Sequence, residues 1–152
     1  MALPAGGTVS DWDSQRLYTA ENPNHCCLSL RIPIVAIRPS SGGREFQVSF
    51  DLTNTGARTG SEIAQVYVGQ DHPSVPRPMQ ELKGFIRVSL QPGETRRVTV
   101  PLDARSFTWY DEKAAAWHAD AGSYTVHVSR SSADAQLEGK VTLNQAIVLP
   151  VN

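Results

Sequence analysis

The feature that most restricts what this chain can fold into is a run of strict alternation. Phe46, Val48, Phe50 and Leu52 are separated by Gln47, Ser49, Asp51 and Thr53. A period of two gives a strand with one buried face and one wet face. Asn54-Thr55-Gly56 ends the run, where Asn and Gly are expected to supply the positive φ of a tight reversal. Glu62 to Val68 runs back as a second strand, and Leu82, Gly84, Ile86, Val88 and Leu90 alternate up to a turn at Gln91-Pro92-Gly93-Glu94. Val98, Val100 and Leu102 follow. Phe107 to Tyr110 reads as a strand that turns at Asp111-Glu112-Lys113 and returns through Ala116-Trp117-His118. Tyr124, Val126 and Val128, then Leu137, Val141 and Leu143, complete the pattern. Upstream, Leu28, Leu30, Ile32 and Ile34 alternate, with Pro33 and Pro39 marking an edge strand or a break. Short strands about ten residues apart, each pair divided by a turn, call for a β-sandwich of about seven or eight strands. Glu112 to Ala116 is composed of good helix formers but is too short to nucleate a helix alone.

Composition narrows the function classes. The chain has 152 residues, enough for one domain with a substantial core. Its formal charge of −1 gives no basic face for nucleic acid, so no nucleic-acid partner is expected. No apolar run approaches the length of a membrane span, and no membrane partner is expected. Met1 is not followed by a basic and apolar leader, so the chain is read as either cytoplasmic or a piece of something larger. Residues 1–27 are polar and aperiodic, an extended lead-in to a sandwich over residues 28–152. Cys26 and Cys27 are adjacent, a strained geometry for a mutual disulfide. His25-Cys26-Cys27 has no second ligand pair at a metal-binding spacing, so no metal and no cofactor are expected.

Several segments of the chain together resemble one family. V-S-F-D-L-T-N-T-G, G-S-E-I-A-Q-V-Y-V, R-P-M-Q-E-L-K-G-F and L-Q-P-G-E-T occur in order, followed by F-T-W-Y-D-E-K-A-A-A-W-H and G-S-Y-T-V-H-V. From about Glu45 to Leu143 the chain resembles the fibronectin type III-like domain at the C-terminal end of family 3 glycoside hydrolases, the β-glucosidase and β-xylosidase family. The resemblance implies a fibronectin III- or immunoglobulin-like sandwich. It also implies an accessory, non-catalytic module of a β-glucosidase-like enzyme, with that enzyme's catalytic domains as its partner.

No catalytic residue is assigned. Ser10-Asp11-Trp12 resembles the tripeptide that carries the family's aspartate nucleophile, but it stands in the polar lead-in. A retaining glycosidase needs a second carboxyl about 5–5.5 Å away over a sugar pocket. Asp71-His72 is read as loop polarity and His127 as a solvated face residue. Between the second and third strands, Pro73, Pro76 and Pro78 exclude central pairing and mark an exposed, stiff loop. Ile63 and Tyr67 fall on the face opposite Ala64, Val66 and Val68, and Phe85 falls opposite Ile86 and Val88, so both faces are expected to be covered there. Tyr67, Arg77, Pro78 and Phe85 are therefore the candidates for an interdomain interface. Arg77 is expected to seek an acidic or carbonyl partner outside this chain. Trp109, Tyr110 and Trp117 on one hairpin are candidates for carbohydrate contact, which makes a stand-alone polysaccharide-binding or adhesive sandwich the alternative reading. Core and rim packing explains the same three rings without a ligand.

Overall fold

A computed structural model describes residues 28–30, 36–40, 45–133 and 135–151. The lead-in over residues 1–27, with Ser10-Asp11-Trp12 and Cys26-Cys27, lies outside the described residues. Among the described residues there are eleven strands: β1 (Leu28–Leu30), β2 (Ala36–Ser40), β3 (Glu45–Asn54), β4 (Gly60–Gln70), β5 (Glu81–Leu90), β6 (Thr95–Leu102), β7 (Trp109–Asp111), β8 (Ala116–Ala119), β9 (Gly122–Ser129), β10 (Ala135–Leu143) and β11 (Ile147–Pro150). A 3-10 turn, Ala104–Phe107, precedes β7 and takes Phe107 out of the strand expected there.

All pairings are antiparallel. In the first sheet β3 is central, with β6 on one side. On its other side β2 pairs with the first half of β3 and β1 with the second half. The second sheet has the order β10-β9-β4-β5, and a small third sheet has the order β11-β8-β7. The first two sheets therefore hold the eight strands of a sandwich, and β11 extends the tryptophan hairpin into a sheet of its own. Pro39 lies in β2 and Pro101 in β6, each paired only with β3, where a missing N–H breaks no second ladder.

The alternation becomes the core. Phe46, Val48, Phe50 and Leu52 of β3 and Val98, Val100 and Leu102 of β6 meet Ala64, Val66, Val88, Leu90, Tyr124, Val126, Val128 and Val141 of the second sheet, all buried. Phe107 closes one end of the sandwich, edge-on to Phe46 at 5.1 Å and to Tyr124 at 5.4 Å between ring centroids. The Tyr124 hydroxyl donates to the Asp120 carbonyl at 2.8 Å. A buried tyrosine bonded back to the backbone just upstream is the tyrosine-corner device of such sandwiches.

One of the two turns singled out in the sequence is held as expected and the other is not. Gly93 does carry a positive φ of 74° behind Pro92, and Glu94 N–H donates to Gln91 O at 3.0 Å, as a type II turn requires. Asn54 and Gly56 do not adopt positive φ. That reversal is held instead by the Asn54 side chain, whose Oδ1 accepts from Gly56 N–H at 2.9 Å. The same amide donates to Arg58 O at 2.7 Å and Leu90 O at 3.0 Å. Residues 112–115 form the β7–β8 turn, with Ala115 at φ 48°, so no helix forms over the alanines.

Candidate docking surface

β4 passes through the middle of the second sheet with apolar residues on both faces. Its inner residues Ala64, Val66 and Val68 are core. On the outer face stand Ile63, Gln65, Tyr67 and Gly69, paired with Arg87, Phe85 and Leu82 of β5 and with Ser129, His127 and Thr125 of β9. A bulge sits in the β4–β5 ladder, where Val66 faces Gly84, Tyr67 faces Leu82, and Lys83 is the extra residue. One inserted residue reverses the phase of a strand. Leu82 was expected to share the core face with Ile86 and Val88, and it lies instead on the outer face beside Tyr67.

The outer face therefore carries exposed apolar side chains among its polar ones. Ile63 (43% exposed), Leu82 (50%), Phe85 (68%) and Met79 (93%) are four of the seven large hydrophobic residues that stand exposed among the described residues. Phe85 lies diagonally across the ladder from Ile63, within reach of a large side chain. Tyr67 is not part of the exposed strip. It is 8% exposed, and its hydroxyl donates to Gln65, which in turn donates to Arg130 O at 2.9 Å. His127, opposite Tyr67, is half-buried rather than solvated.

The proline-rich loop, residues 71–80, is tied down along its length. Asp71 N–H donates to Ser123 O at 3.0 Å, and the Asp71 carboxylate accepts from Thr125 Oγ1 at 2.6 Å and Lys140 Nζ at 3.0 Å. The Thr125 hydroxyl, then Lys140 and Ser123, hold that carboxyl down at about 2. Ser74 Oγ and Gln70 Nε2 donate to Asp120 Oδ2 at 2.6 and 3.0 Å, while His118 Nε2 lies 3.2 Å from Asp120 Oδ1. Burial pushes Asp120 up, and the bonds from Ser74 and Gln70 outweigh it to leave the carboxyl below its ordinary value. Gln80 Nε2 donates to Ser132 O at 2.8 Å. A Cβ on Gly69 would lie 2.1 Å from the Met79 carbonyl oxygen, so only glycine lets the end of the loop lie this close to β4.

Arg77 does not wait for an outside partner. Its side chain is 8% exposed and meets Glu81 Oε2 at 2.8 Å. It also donates to Gln70 Oε1 at 3.1 Å, Phe107 O at 3.3 Å and Thr108 O at 3.5 Å. These acceptors come from β4, the start of β5 and the 3-10 turn, which a local reading of the loop could not bring together. Of the four interface candidates, the fold leaves Pro78 and Phe85 exposed and turns Tyr67 and Arg77 inward. Met79, Leu82 and Ile63 join the exposed pair.

The hairpin aromatics divide between two faces. Tyr110 pairs with Trp117 and Trp109 with His118, so alternation puts Trp109 on the face opposite the other two. The Tyr110 and Trp117 rings lie 5.3 Å apart, tilted by 59°, and the Arg105 guanidinium lies over Trp117 at 4.2 Å from its centroid. Trp109 packs edge-on to His118 at 5.6 Å. The three candidates do not make one flat sugar platform.

Residues 62–132 match the model of the fibronectin type III-like domain. Over 100 residues the chain is 41% identical to thermostable β-glucosidase B of Acetivibrio thermocellus, covering 66% of this chain and 13% of that protein. It is 40% identical over 94 residues to an exo-α-(1→6)-L-arabinopyranosidase of Bifidobacterium breve, covering 62% of this chain and 12% of that one. Its fold superimposes on β-glucosidase from Kluyveromyces marxianus with a TM-score of 0.75 at 31% identity, over 82% of this chain and 15% of the enzyme. It also superimposes on a family 3 β-glucosidase from Bifidobacterium adolescentis with a TM-score of 0.70 at 34% identity, over 84% of this chain and 19% of that structure. The chain thus spans about an eighth of the curated relatives it matches. It belongs with the fibronectin type III-like domains of the family 3 glycoside hydrolases.

Proposed function

We propose that this domain is a non-catalytic bracing module, and that its outer β4–β5 face docks on the catalytic domains of a β-glucosidase-like enzyme. The observation that carries this reading is the exposed group Ile63, Leu82 and Phe85 on that face, with Met79 exposed at the end of an adjoining loop already fixed in place. Scattered apolar residues are normal on any surface, but a contiguous row marks a contact. A loop ordered before docking loses little further entropy when it docks. The prominent acids are engaged in structure: Asp71 holds Thr125 and Lys140, and Asp120 holds Ser74 and Gln70. Both are kept ionised by those bonds, which suits a tie and not a proton donor. In this reading the sandwich runs over residues 28–152 and residues 1–27 are a lead-in.

The test is amide exchange over residues 69–87, in the 152-residue chain and in the same chain joined to the catalytic domains of a relative such as the A. thermocellus enzyme. Protection over 79–87 that appears only in the joined protein is the expected result. Unchanged exchange, together with retention on cellulose or xylan that is lost in Trp109→Ala and Trp117→Ala, replaces bracing by carbohydrate binding.

A further inference from the structure

The geometry points to a carboxylate-reading site on the third sheet, formed by Arg105, Trp117 and Tyr110, whose ligand is an Asp or Glu side chain on the protein surface that this domain meets. The source of the ligand rests on the bracing reading; its chemistry does not. Arg105 sits in the 3-10 turn with its guanidinium over the Trp117 ring at 4.2 Å, and Trp117 leans in turn on Tyr110. A guanidinium laid on an aromatic face keeps its N–H donors free at its rim, where they fit the two oxygens of a carboxylate. The turn beneath it is closed, because the Arg105 carbonyl accepts from Thr108 N–H at 3.1 Å and Thr108 Oγ1 at 2.9 Å.

The acids nearest in sequence are already engaged. Asp103 Oδ1 accepts from Ser106 N–H at 2.9 Å and Ser106 Oγ at 2.8 Å. Asp111 Oδ1 accepts from Lys113 N–H at 2.9 Å and Ala114 N–H at 3.3 Å. Arg77, Arg96 and Arg97 each hold a carboxylate of this chain, whereas the Arg105 guanidinium meets none among the described residues. Arg105 is thus oriented before any ligand arrives, which lowers the entropy lost on binding. A neutral sugar is the poorer occupant, since the indole face it would stack on is under the guanidinium. A protein carboxylate is favoured over an acidic polysaccharide because the matched relatives are some sevenfold to eightfold longer than the region this chain covers, so in them the matched region is joined to much further protein.

The experiment titrates the isotope-labelled chain with triglutamate and, separately, triglutamine at fixed ionic strength, following the Arg105 and Trp117 side-chain N–H resonances. Saturable shifts with triglutamate alone are expected. Arg105→Lys, which keeps the charge but loses the fork and the stack, should weaken binding at least about fivefold. Trp117→Leu should do the same, and Arg97→Lys should leave it unchanged. Binding to Arg105→Lys within about twofold of the parent chain would reduce the site to plain charge attraction and overturn the proposal. So would shifts with triglutamine, or oligogalacturonate binding about tenfold tighter than triglutamate, which would make the ligand an acidic glycan. Bracing is tested separately by exchange over 79–87, so either idea can fail while the other stands.

Discussion

Replacing Asn54 by Ala should be among the most damaging single changes in this domain that touch no large core side chain. Asn54 is fully buried at the end of β3. Its side chain makes the three bonds to Gly56, Arg58 and Leu90 described above, and its backbone makes two more, N–H to Glu94 O at 3.0 Å and C=O from Gly93 N–H at 2.9 Å. One residue therefore joins the β3–β4 turn to the end of β5 and to the β5–β6 turn. In the Ala variant the buried Leu90 carbonyl loses its side-chain donor, a loss of about 1–3 kcal/mol. The Arg58 carbonyl and Gly56 N–H are part-buried and contribute about 0.5–1.5 kcal/mol each. The expected destabilisation is about 4 kcal/mol, measured as a shift of the urea midpoint at constant slope.

Asn54→Asp adds a sign that contact loss alone cannot give. One carboxyl oxygen can keep the bond from Gly56, but the other faces the Arg58 and Leu90 carbonyls. The ionised form is repelled there, so the folded-state pKa of the new acid must lie above its unfolded value. Stability from such a group is present below the unfolded pKa and is lost as pH rises through the folded one. Relative to the parent chain at each pH, the Asp variant should therefore be less damaged at pH about 4 than at pH about 7. A loss below about 1 kcal/mol in Asn54→Ala would show that water replaces the amide without penalty, and the joint-turn argument would fail. Equal damage to Asn54→Asp at both pH values would show that the side chain does not face the two carbonyls.

Arg77→Met should cost about 2–4 kcal/mol in the same titration, because four acceptors lose a nearly buried cation, and Arg77→Lys should recover less than half of it. Asp71 has its pKa lowered from 3.8 to about 2, so its contribution is full above the unfolded value and is lost as pH falls from about 5 toward 2. Asp71→Asn should flatten that part of the acid-unfolding curve while leaving the neutral-pH fold intact, and a curve parallel to the parent's would refute the assignment.

What was legible in the sequence is what alternation and turn chemistry can express. Phe50, Val66 and Val126 are buried because each stands on the apolar face of an unbroken period-two run, and Val88 because it lies on the regular part of β5 beyond the bulge. The Pro92-Gly93 turn was readable because its φ requirement is local. Leu82 was not, since the single extra residue Lys83 reverses the strand's phase and leaves no compositional mark. The Asn54 reversal was located correctly, but its cause is a side chain reaching Leu90, 36 residues away. Arg77 was singled out correctly as unusual, yet its acceptors on Phe107 and Thr108 are 30 and 31 residues distant, so pattern suggested an outside partner where the fold supplies an inside one. Trp109, Tyr110 and Trp117 share a hairpin, but pairing register alone decides which rings share a face.

The inward turn of Arg77 changes what the candidate surface is. β5 is an edge of the second sheet, and an open edge invites another strand to pair with it. Here a bulge interrupts that edge, with a lysine as the extra residue, and both features discourage strand addition. Lys83 does not point its charge at random, because its ammonium lies 3.3 Å from Glu81 Oε2, the oxygen that also holds Arg77 at 2.8 Å. Loop, edge and bulge thus meet at one carboxylate, whose ionised form is favoured although burial opposes it, because Arg77 and Lys83 outweigh the burial. Leu82 lies between the two residues that this carboxylate ties together, and Phe85 lies just beyond the bulge. The polar group that resembled an interface in the sequence is the support that fixes the exposed apolar residues, and the docking proposed above uses side chains on this face because the edge is closed to backbone pairing.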